Sequence, residues 1–167
     1  MASKALKIWI SFVALFSLPA CAPPHRLYLQ YDNQFLQSDL DRILAENPLS
    51  PTENIKVATL GKGQTVSHHI VQIRDRETPH VHKNHDLTVM VVRGKGYLML
   101  DQKRIALAEG DVLYVPRATV HHFVNADATR SVALVIFSPP FDGKDTLPVR
   151  SHQSSNLLLP TSGQGLP

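Results

Sequence analysis

The residues best suited to chemistry are histidines, of which the 167-residue chain has nine. Five of them are concentrated in two short stretches, as His80, His82, His85, His121 and His122. His80 and His82 are two positions apart, and strand residues at that spacing point to the same face. Two imidazoles on one face can share a divalent ion at about 2.0–2.2 Å. On its own, such a pair is more often two polar residues on a solvated strand.

A β pattern surrounds both histidine stretches, from residue 54 to residue 138. Its apolar and β-branched runs are short, and Gly, Asn and Asp residues separate them. About eight short strands at a spacing of roughly 8–12 residues predict an all-β sandwich or barrel.

The chain divides into four predicted segments. Residues 1–20 form a targeting segment, 21–53 a tether with a short helix, 54–141 the β domain, and 142–167 a tail. Ser38 is the candidate N-cap of the helix, because apolar residues follow it at helical spacing. The tail is rich in Ser, Gly and Pro, so we expect the domain to fold without it.

A second pattern, around His121, makes the prediction more specific. Gly110, Pro116, His121 and Asn125 are spaced as G-x5-P-x4-H-x3-N. This spacing resembles the second motif of the cupin superfamily, with Ala118 in place of that motif's inner Gly.

The first cupin motif is matched at His80, His82 and Gly94, while Arg74 stands where that motif has its leading Gly. The resemblance covers residues 54–138. It implies a double-stranded β-helix, or jelly roll, with a metal site inside the barrel.

The resemblance also implies a ligand set of His80, His82 and His121. The family's Glu ligand is absent, because Leu87 occupies its position. Asp86 is a candidate replacement if a β-bulge turns it inward. His85 is another candidate, and a site of three histidines alone is the third. Such donors suit a divalent transition metal (Fe, Mn, Ni, Zn or Cu) better than Mg or Ca.

The N-terminus has the pattern of a secretory signal. Lys4 and Lys7 precede the apolar run 8–18, which is too short to span a bilayer. The run ends in Leu-Pro-Ala-Cys21, which resembles the lipobox of bacterial lipoproteins, where the Cys is lipidated. An ordinary signal peptide with a nearby Cys is the alternative. Because Ala22 rather than Asp follows the Cys, the resemblance implies an anchor in the outer membrane, facing the periplasm.

The charge argues against a nucleic-acid partner. The formal net charge is +3, and without the first 20 residues 15 basic residues balance 14 acidic ones. A nucleic-acid-binding domain usually has a larger basic excess. The expected partners are a small molecule and, through the lipid, the membrane. The resemblance also implies a homodimer.

Fold does not settle function in this superfamily, and whether the protein is an enzyme stays open at this point. One hypothesis is a metal-dependent enzyme, dioxygenase-like, acting on a small organic molecule. The second is a non-catalytic module that binds a small ligand or a metal at the envelope. A structural β domain without metal is the third.

Overall fold

The predicted strands are present in the computed structural model, which describes residues 25–149. The elements of this part, in chain order, are β1 (Arg26–Tyr31), β2 (Gln34–Asp39), α1 (Leu40–Glu46), β3 (Ile55–Lys62), β4 (Ser67–Ile73), β5 (His80–His82), β6 (Asp86–Arg93), β7 (Lys95–Leu100), β8 (Lys103–Ala108), β9 (Val112–Val115), β10 (His121–Asn125), β11 (Ser131–Ser138) and β12 (Thr146–Pro148).

Two five-stranded sheets form the body of the domain. Their strand orders are β3-β4-β11-β6-β9 and β12-β5-β10-β7-β8, and every pairing is antiparallel. Strands distant in sequence are neighbours, as β4 and β11 are, which is the connectivity of a jelly roll rather than a meander. The all-β jelly-roll prediction is confirmed.

The main core lies between the two sheets. Val71, Leu87 and Val91 of one sheet pack in the same buried cluster as Leu98 and Phe123 of the other. Alternation along β6 directs Leu87, Val89 and Val91 inward, as the sequence pattern predicts.

A second cluster covers the outer face of the first sheet. The apolar side of α1, formed by Leu40, Ile43 and Leu44, packs there on Ile70 of β4. The N-cap of this helix is Asp39, whose carboxylate accepts a hydrogen bond from the Arg42 N–H at 2.9 Å. The prediction of Ser38 as the N-cap was therefore wrong by one residue, because β2 continues through Asp39.

Part of the predicted tether is a β-hairpin. Residues 26–39 pair as β1 and β2 around a turn at Asp32–Asn33. Tyr31 is buried at the end of β1 and lies over Gly61, where a Cβ atom would collide with the tyrosine ring. Gly61 also marks a register shift in β3, so the hairpin docks where the strand is irregular.

The first residues of the predicted tail belong to the barrel. In the C-terminal strap, defined here as residues 139–149, β12 pairs with β5 and Asp145 is buried. The predicted boundary at 142 therefore separates residues that pack together.

Cys21 and the predicted signal lie outside the described residues. Within residues 25–149, no helix has the length and hydropathy needed to cross a membrane.

Candidate metal centre

Two adjacent strands bring three histidines together. His80 of β5 and His121 of β10 are directly opposite each other, and His82 lies two residues further along β5 on the same face. Their ring centroids are 4.4 Å (His80–His121), 5.0 Å (His80–His82) and 5.4 Å (His82–His121) apart. One nitrogen from each ring lies within 4.8 Å of the others, and all three residues are buried. These residues are called the histidine triad below.

Backbone carbonyls fix the orientation of two rings. Nδ1 of His80 lies 2.8 Å from the Thr78 carbonyl oxygen, and Nδ1 of His121 lies 2.9 Å from that of Thr119. Because a carbonyl oxygen only accepts, each Nδ1 must carry the proton and donate it. In the neutral form of either ring, Nε2 is then the unprotonated atom that can bind a metal.

The third ring is held differently. Nδ1 of His82 is buried and has no hydrogen-bond partner among the described residues. Buried polar atoms without a partner are uncommon in native proteins. A metal ion bound by the triad would account for a polar imidazole in this position.

Burial disfavours the charged form of two rings of the triad. It lowers the pKa of both His82 and His121 to about 4, and the neighbouring imidazoles act in the same direction. Neutral imidazoles are the ligand form for Zn, Cu, Fe and Ni, so the donor set fits a divalent transition metal.

The structure does not bring Asp86 into the triad. Its carboxylate accepts hydrogen bonds from the Arg117 backbone N–H at 2.8 Å and from Nη2 of the same residue at 2.6 Å. These contacts hold the pKa of Asp86 down at about 2. The proposed bulge at the start of β6 is absent, since Asp86 and Leu87 pair in regular register with β11. Leu87 points inward from the position of the family's Glu.

His85 is also outside the triad. It is buried, and its Nδ1 lies 2.6 Å from Oδ2 of Asp145. The same carboxylate accepts the backbone and side-chain N–H groups of Asn84 at 2.7 and 3.1 Å. His85 therefore anchors the C-terminal strap rather than completing the ligand set.

A cavity of about 320 Å³ opens beside the triad, between the two sheets. Its walls are mainly apolar, and the triad, Glu77 and Thr78 supply polar groups. Oε2 of Glu77 accepts the Phe123 backbone N–H at 2.9 Å. Burial raises the pKa of Glu77, although His80 and that hydrogen bond act in the opposite direction.

Comparison with known proteins agrees with this geometry. Residues 67–137 match the sequence profile of the cupin domain family. A protein of Aquifex aeolicus is 40% identical over 111 residues, covering 66% of this chain and 90% of its relative. This chain belongs to the cupin superfamily. A second relative of the cupin, from Methanocaldococcus jannaschii, is 26% identical over 86 residues, which are 52% of this chain and 69% of that protein.

Solved structures share the cupin barrel. KdgF from Halomonas sp. is 27% identical, with a TM-score of 0.53, and the match covers 59% of this chain and 93% of KdgF. The Streptomyces nucleoside dehydratase Pac13 has a TM-score of 0.52 at 19% identity, over 64% of this chain and 88% of Pac13. The likeness to Pac13 is one of fold alone.

The motif residues that bind no metal shape the turns of the cupin barrel. Gly94 and Gly110 have φ values of +88° and +93°, a region that glycine adopts without strain. Ala118, at the family's inner Gly, also has a positive φ, of 61°. The Asn125 side chain donates to carbonyl oxygens of Arg74 and Thr129, both at 2.8 Å, and so fixes the loop between β10 and β11.

Sequence reasoning missed two parts of the site. Glu77 lies just before β5, where no motif or periodicity marks it. Phe141 of the strap stacks on Phe137, with ring centroids 4.5 Å apart, and lines the cavity with Thr146. The Ser-Pro-Pro-Phe-Asp-Gly stretch indicates a turn over a barrel end, but its composition does not reveal that the strap continues as a strand.

Proposed function

We propose that the protein is an envelope-anchored cupin enzyme that binds a divalent transition metal at the histidine triad. Its substrate is a small molecule held in the adjoining cavity. The observation that carries this proposal is the convergence of three buried imidazoles on the wall of a cavity that also contains a carboxyl group, that of Glu77.

Each residue has a definite task in this proposal. The triad holds the metal, which when bound acts as a Lewis acid on an oxygen atom of the ligand. Glu77 uses Oε2 to accept the Phe123 N–H, which leaves Oε1 to hold or accept a proton. Its raised pKa suits proton transfer nearer neutral pH than an ordinary carboxyl group allows. The apolar walls exclude water. A dioxygenase-like reaction is one class that such a site can support.

A non-catalytic binding module is the second candidate function. The observation in its favour is Leu87, which places a side chain without ligand atoms where the family has its Glu. A site of three histidines retains open positions and can bind a ligand without transforming it.

Metal content and turnover together test the enzyme proposal. The protein is purified without a histidine tag from cells supplied with Fe, Mn, Ni, Zn and Cu, and its metals are measured. Turnover is then assayed against thiols, catechols and keto acids. We expect bound metal near one ion per chain, and Glu77→Gln should keep the metal but lose turnover. Only trace metal would overturn the proposal, and ligand binding without turnover across the panel would favour the binding module.

We further propose that Cys21 carries the lipid anchor, on the strength of the lipobox-like sequence that ends there. Cys21→Ser should release the protein from membranes or stall its processing, as measured by fractionation and gel mobility. Ala22→Asp is the matched variant, because it should keep the lipid but move the protein to the inner membrane. Unchanged fractionation and mobility of Cys21→Ser would contradict the anchor.

A further inference from the structure

Most polar groups of the cavity are gathered on one wall. His80 and His82 lie on β5, His121 on β10, and the Glu77 backbone N–H donates to the Phe123 carbonyl oxygen of β10. Thr146 adds a hydroxyl group from β12, the strand next to β5. From the opposite sheet, the described lining has one polar residue, Ser131 of β11, whose hydroxyl group already donates to Oδ1 of Asn125 at 2.6 Å. A ligand in this cavity therefore meets the carboxyl and metal-binding groups from one side only.

Apart from Ser131, the remaining walls are apolar. Strands β3, β4, β6 and β9 of the other sheet contribute only aliphatic side chains, among them Val71, Leu87, Val91 and Val115. Leu98 of β7 and Leu107 of β8 close the cavity at the other end of the second sheet. Protein interiors are normally close-packed, so a cavity of about 320 Å³ between two sheets is the size of a small-molecule site.

The cavity offers little to a charged ligand. Among the described residues that line it, Glu77 is the only carboxyl group and none is Lys or Arg. An ionised group taken out of water without a partner is strongly disfavoured. A metal at the triad would neutralise one negative group of a ligand, but no described residue along the apolar walls carries a charge that could pair with a second one.

The mouth of the cavity is also apolar. Ile55 and Val57 of β3 line the cavity, and they are 37% and 50% exposed. Because β3 is the edge strand of its sheet, these two side chains mark where the cavity meets solvent.

We infer that the cavity takes an uncharged, mainly apolar small molecule, with its polar end at the histidine triad and its apolar part extending toward Ile55 and Val57. This inference rests on the proposed function, because the triad is assigned as the metal site there. It adds the chemical class of the substrate, and it separates the expected ligands from sugar phosphates, dicarboxylates and other molecules with a second charge.

Three hydroxamic acids with the same metal-binding head test the inference. Hexanohydroxamic acid has an apolar chain, adipic monohydroxamic acid has the same carbon count but ends in a carboxylate, and butanohydroxamic acid is two methylenes shorter. Affinities for the zinc-loaded and metal-free protein are measured by calorimetry and ligand-observed NMR. We expect hexanohydroxamic acid to bind at least tenfold more tightly than either other compound. Each buried methylene adds about fourfold, and a terminal carboxylate would lose its hydration in an apolar cavity.

Two exposed substitutions locate the chain of the probe. Val57→Lys places a cation at the mouth and should reduce the preference for the uncharged chain at least threefold. Val112→Lys is the matched control, because Val112 is 55% exposed on β9 and does not line the cavity. It should leave the preference unchanged.

The outcomes separate this inference from the proposed function. Failure to bind metal overturns the proposed function, and the chain preference of the metal-free protein then still decides the ligand class. Equal or tighter binding of adipic monohydroxamic acid, no dependence on chain length, no binding of hexanohydroxamic acid, or equal effects of Val57→Lys and Val112→Lys would each overturn the inference.

Discussion

Two buried histidine regions lie close to β5, and they differ in what surrounds the imidazoles. In the triad, each ring faces other imidazoles, and the ring nitrogens of His80 and His121 that are hydrogen-bonded contact backbone carbonyls. At His85, the ring faces the buried carboxylate of Asp145 at 2.6 Å. Burial is similar in the two regions, so burial does not distinguish a ligand from a structural histidine. The two kinds of histidine differ instead in the group that the ring contacts, which is a carboxylate at His85 and a backbone carbonyl at His80 and His121.

The two regions share an aromatic boundary. The ring of Phe141 lies edge-on to His82 at 5.7 Å and to His85 at 5.4 Å. The C-terminal strap thus contacts both regions, but its buried carboxylate, that of Asp145, contacts His85 and not the triad. The two residues His85 and Asp145 are called the pair below. We expect substitutions in the triad to weaken metal binding, and substitutions in the pair to weaken the packing of the strap.

The largest expected effect is on metal binding by the triad. His121→Ala should lose most of the bound metal, because the two imidazoles that remain form a weak site. Metal analysis after extensive dialysis measures the loss. His122→Ala is the matched control, since its side chain is outside the cavity lining and outside the triad, and this variant should keep the metal. Equal losses in both variants would contradict the assignment.

The next effect is on folding, through the pair. Asp145→Ala removes the acceptor of three hydrogen bonds, from Asn84 and His85. It should lower the free energy of unfolding by about 2 kcal/mol, since bonds to a charged group contribute about 1.5–3 kcal/mol each and solvation recovers part of the loss. Urea denaturation measures this change.

Asp142→Ala is the control for the His85–Asp145 pair, because Asp142 is exposed and, within residues 25–149, accepts only the Lys144 N–H. It should be close to neutral, and Asp145→Ala should still bind metal. Truncation after Lys144 should destabilise at least as much as Asp145→Ala, because it also removes β12. A stable truncated protein would instead support the sequence-based boundary of the tail.

The third effect is a pH dependence with separate windows for the two regions. The pKa of His82 and of His121 is about 4 in the folded protein, against 6.5 ordinarily. The unfolded chain therefore binds these protons first, and the stability of the metal-free protein should fall as the pH drops from about 6.5 to 4. Each pKa unit corresponds to about 1.4 kcal/mol per group.

The carboxylate of Asp145 should affect the stability of the protein at lower pH than His82 and His121 do. Burial tends to raise the pKa of Asp145, but hydrogen bonds from Asn84 and His85 outweigh it, and the net pKa lies below 3.8. Its contribution is complete above pH 3.8 and is lost as the pH falls further. Thermal melts of metal-free wild type and His121→Ala from pH 7 to 3 check both statements. Parallel pH curves for the two proteins would contradict the depressed pKa of His121.

The sequence predicted one region much better than the other. The spacing of His80, His82 and His121 predicts the triad, because strand periodicity and two motifs fix which faces those residues share. The turns and alternation predict an all-β sandwich or barrel, and the resemblance to cupins implies the jelly roll. The motif spacing also places Leu87 at the family's Glu position, and in the structure this side chain forms part of the apolar wall.

The pair and Glu77 could not be predicted in the same way. His85 and Asp145 are 60 residues apart. No periodicity relates a loop residue after β5 to the strap, whose composition is typical of a tail. Glu77 acquires its role from the neighbouring β10 backbone, through the Phe123 N–H. Both are tertiary contacts, and local patterns carry information only about neighbours on the same element or in a known motif.

Asp86 gives the smallest expected effect and the sharpest test of the ligand set. It follows His85 in the chain, yet its partner is the exposed Arg117, which approaches through its backbone N–H and its guanidinium group. Because this pair is solvent-exposed, its loss should lower the thermal midpoint only slightly. Asp86→Ala should keep its metal, as should Arg117→Ala, the matched variant for loss of the pair. If Asp86→Ala lost as much metal as His121→Ala while Arg117→Ala kept it, Asp86 would be a fourth ligand in the loaded protein. The start of β6 would then have to rearrange when metal binds, and the triad would no longer be the complete ligand set.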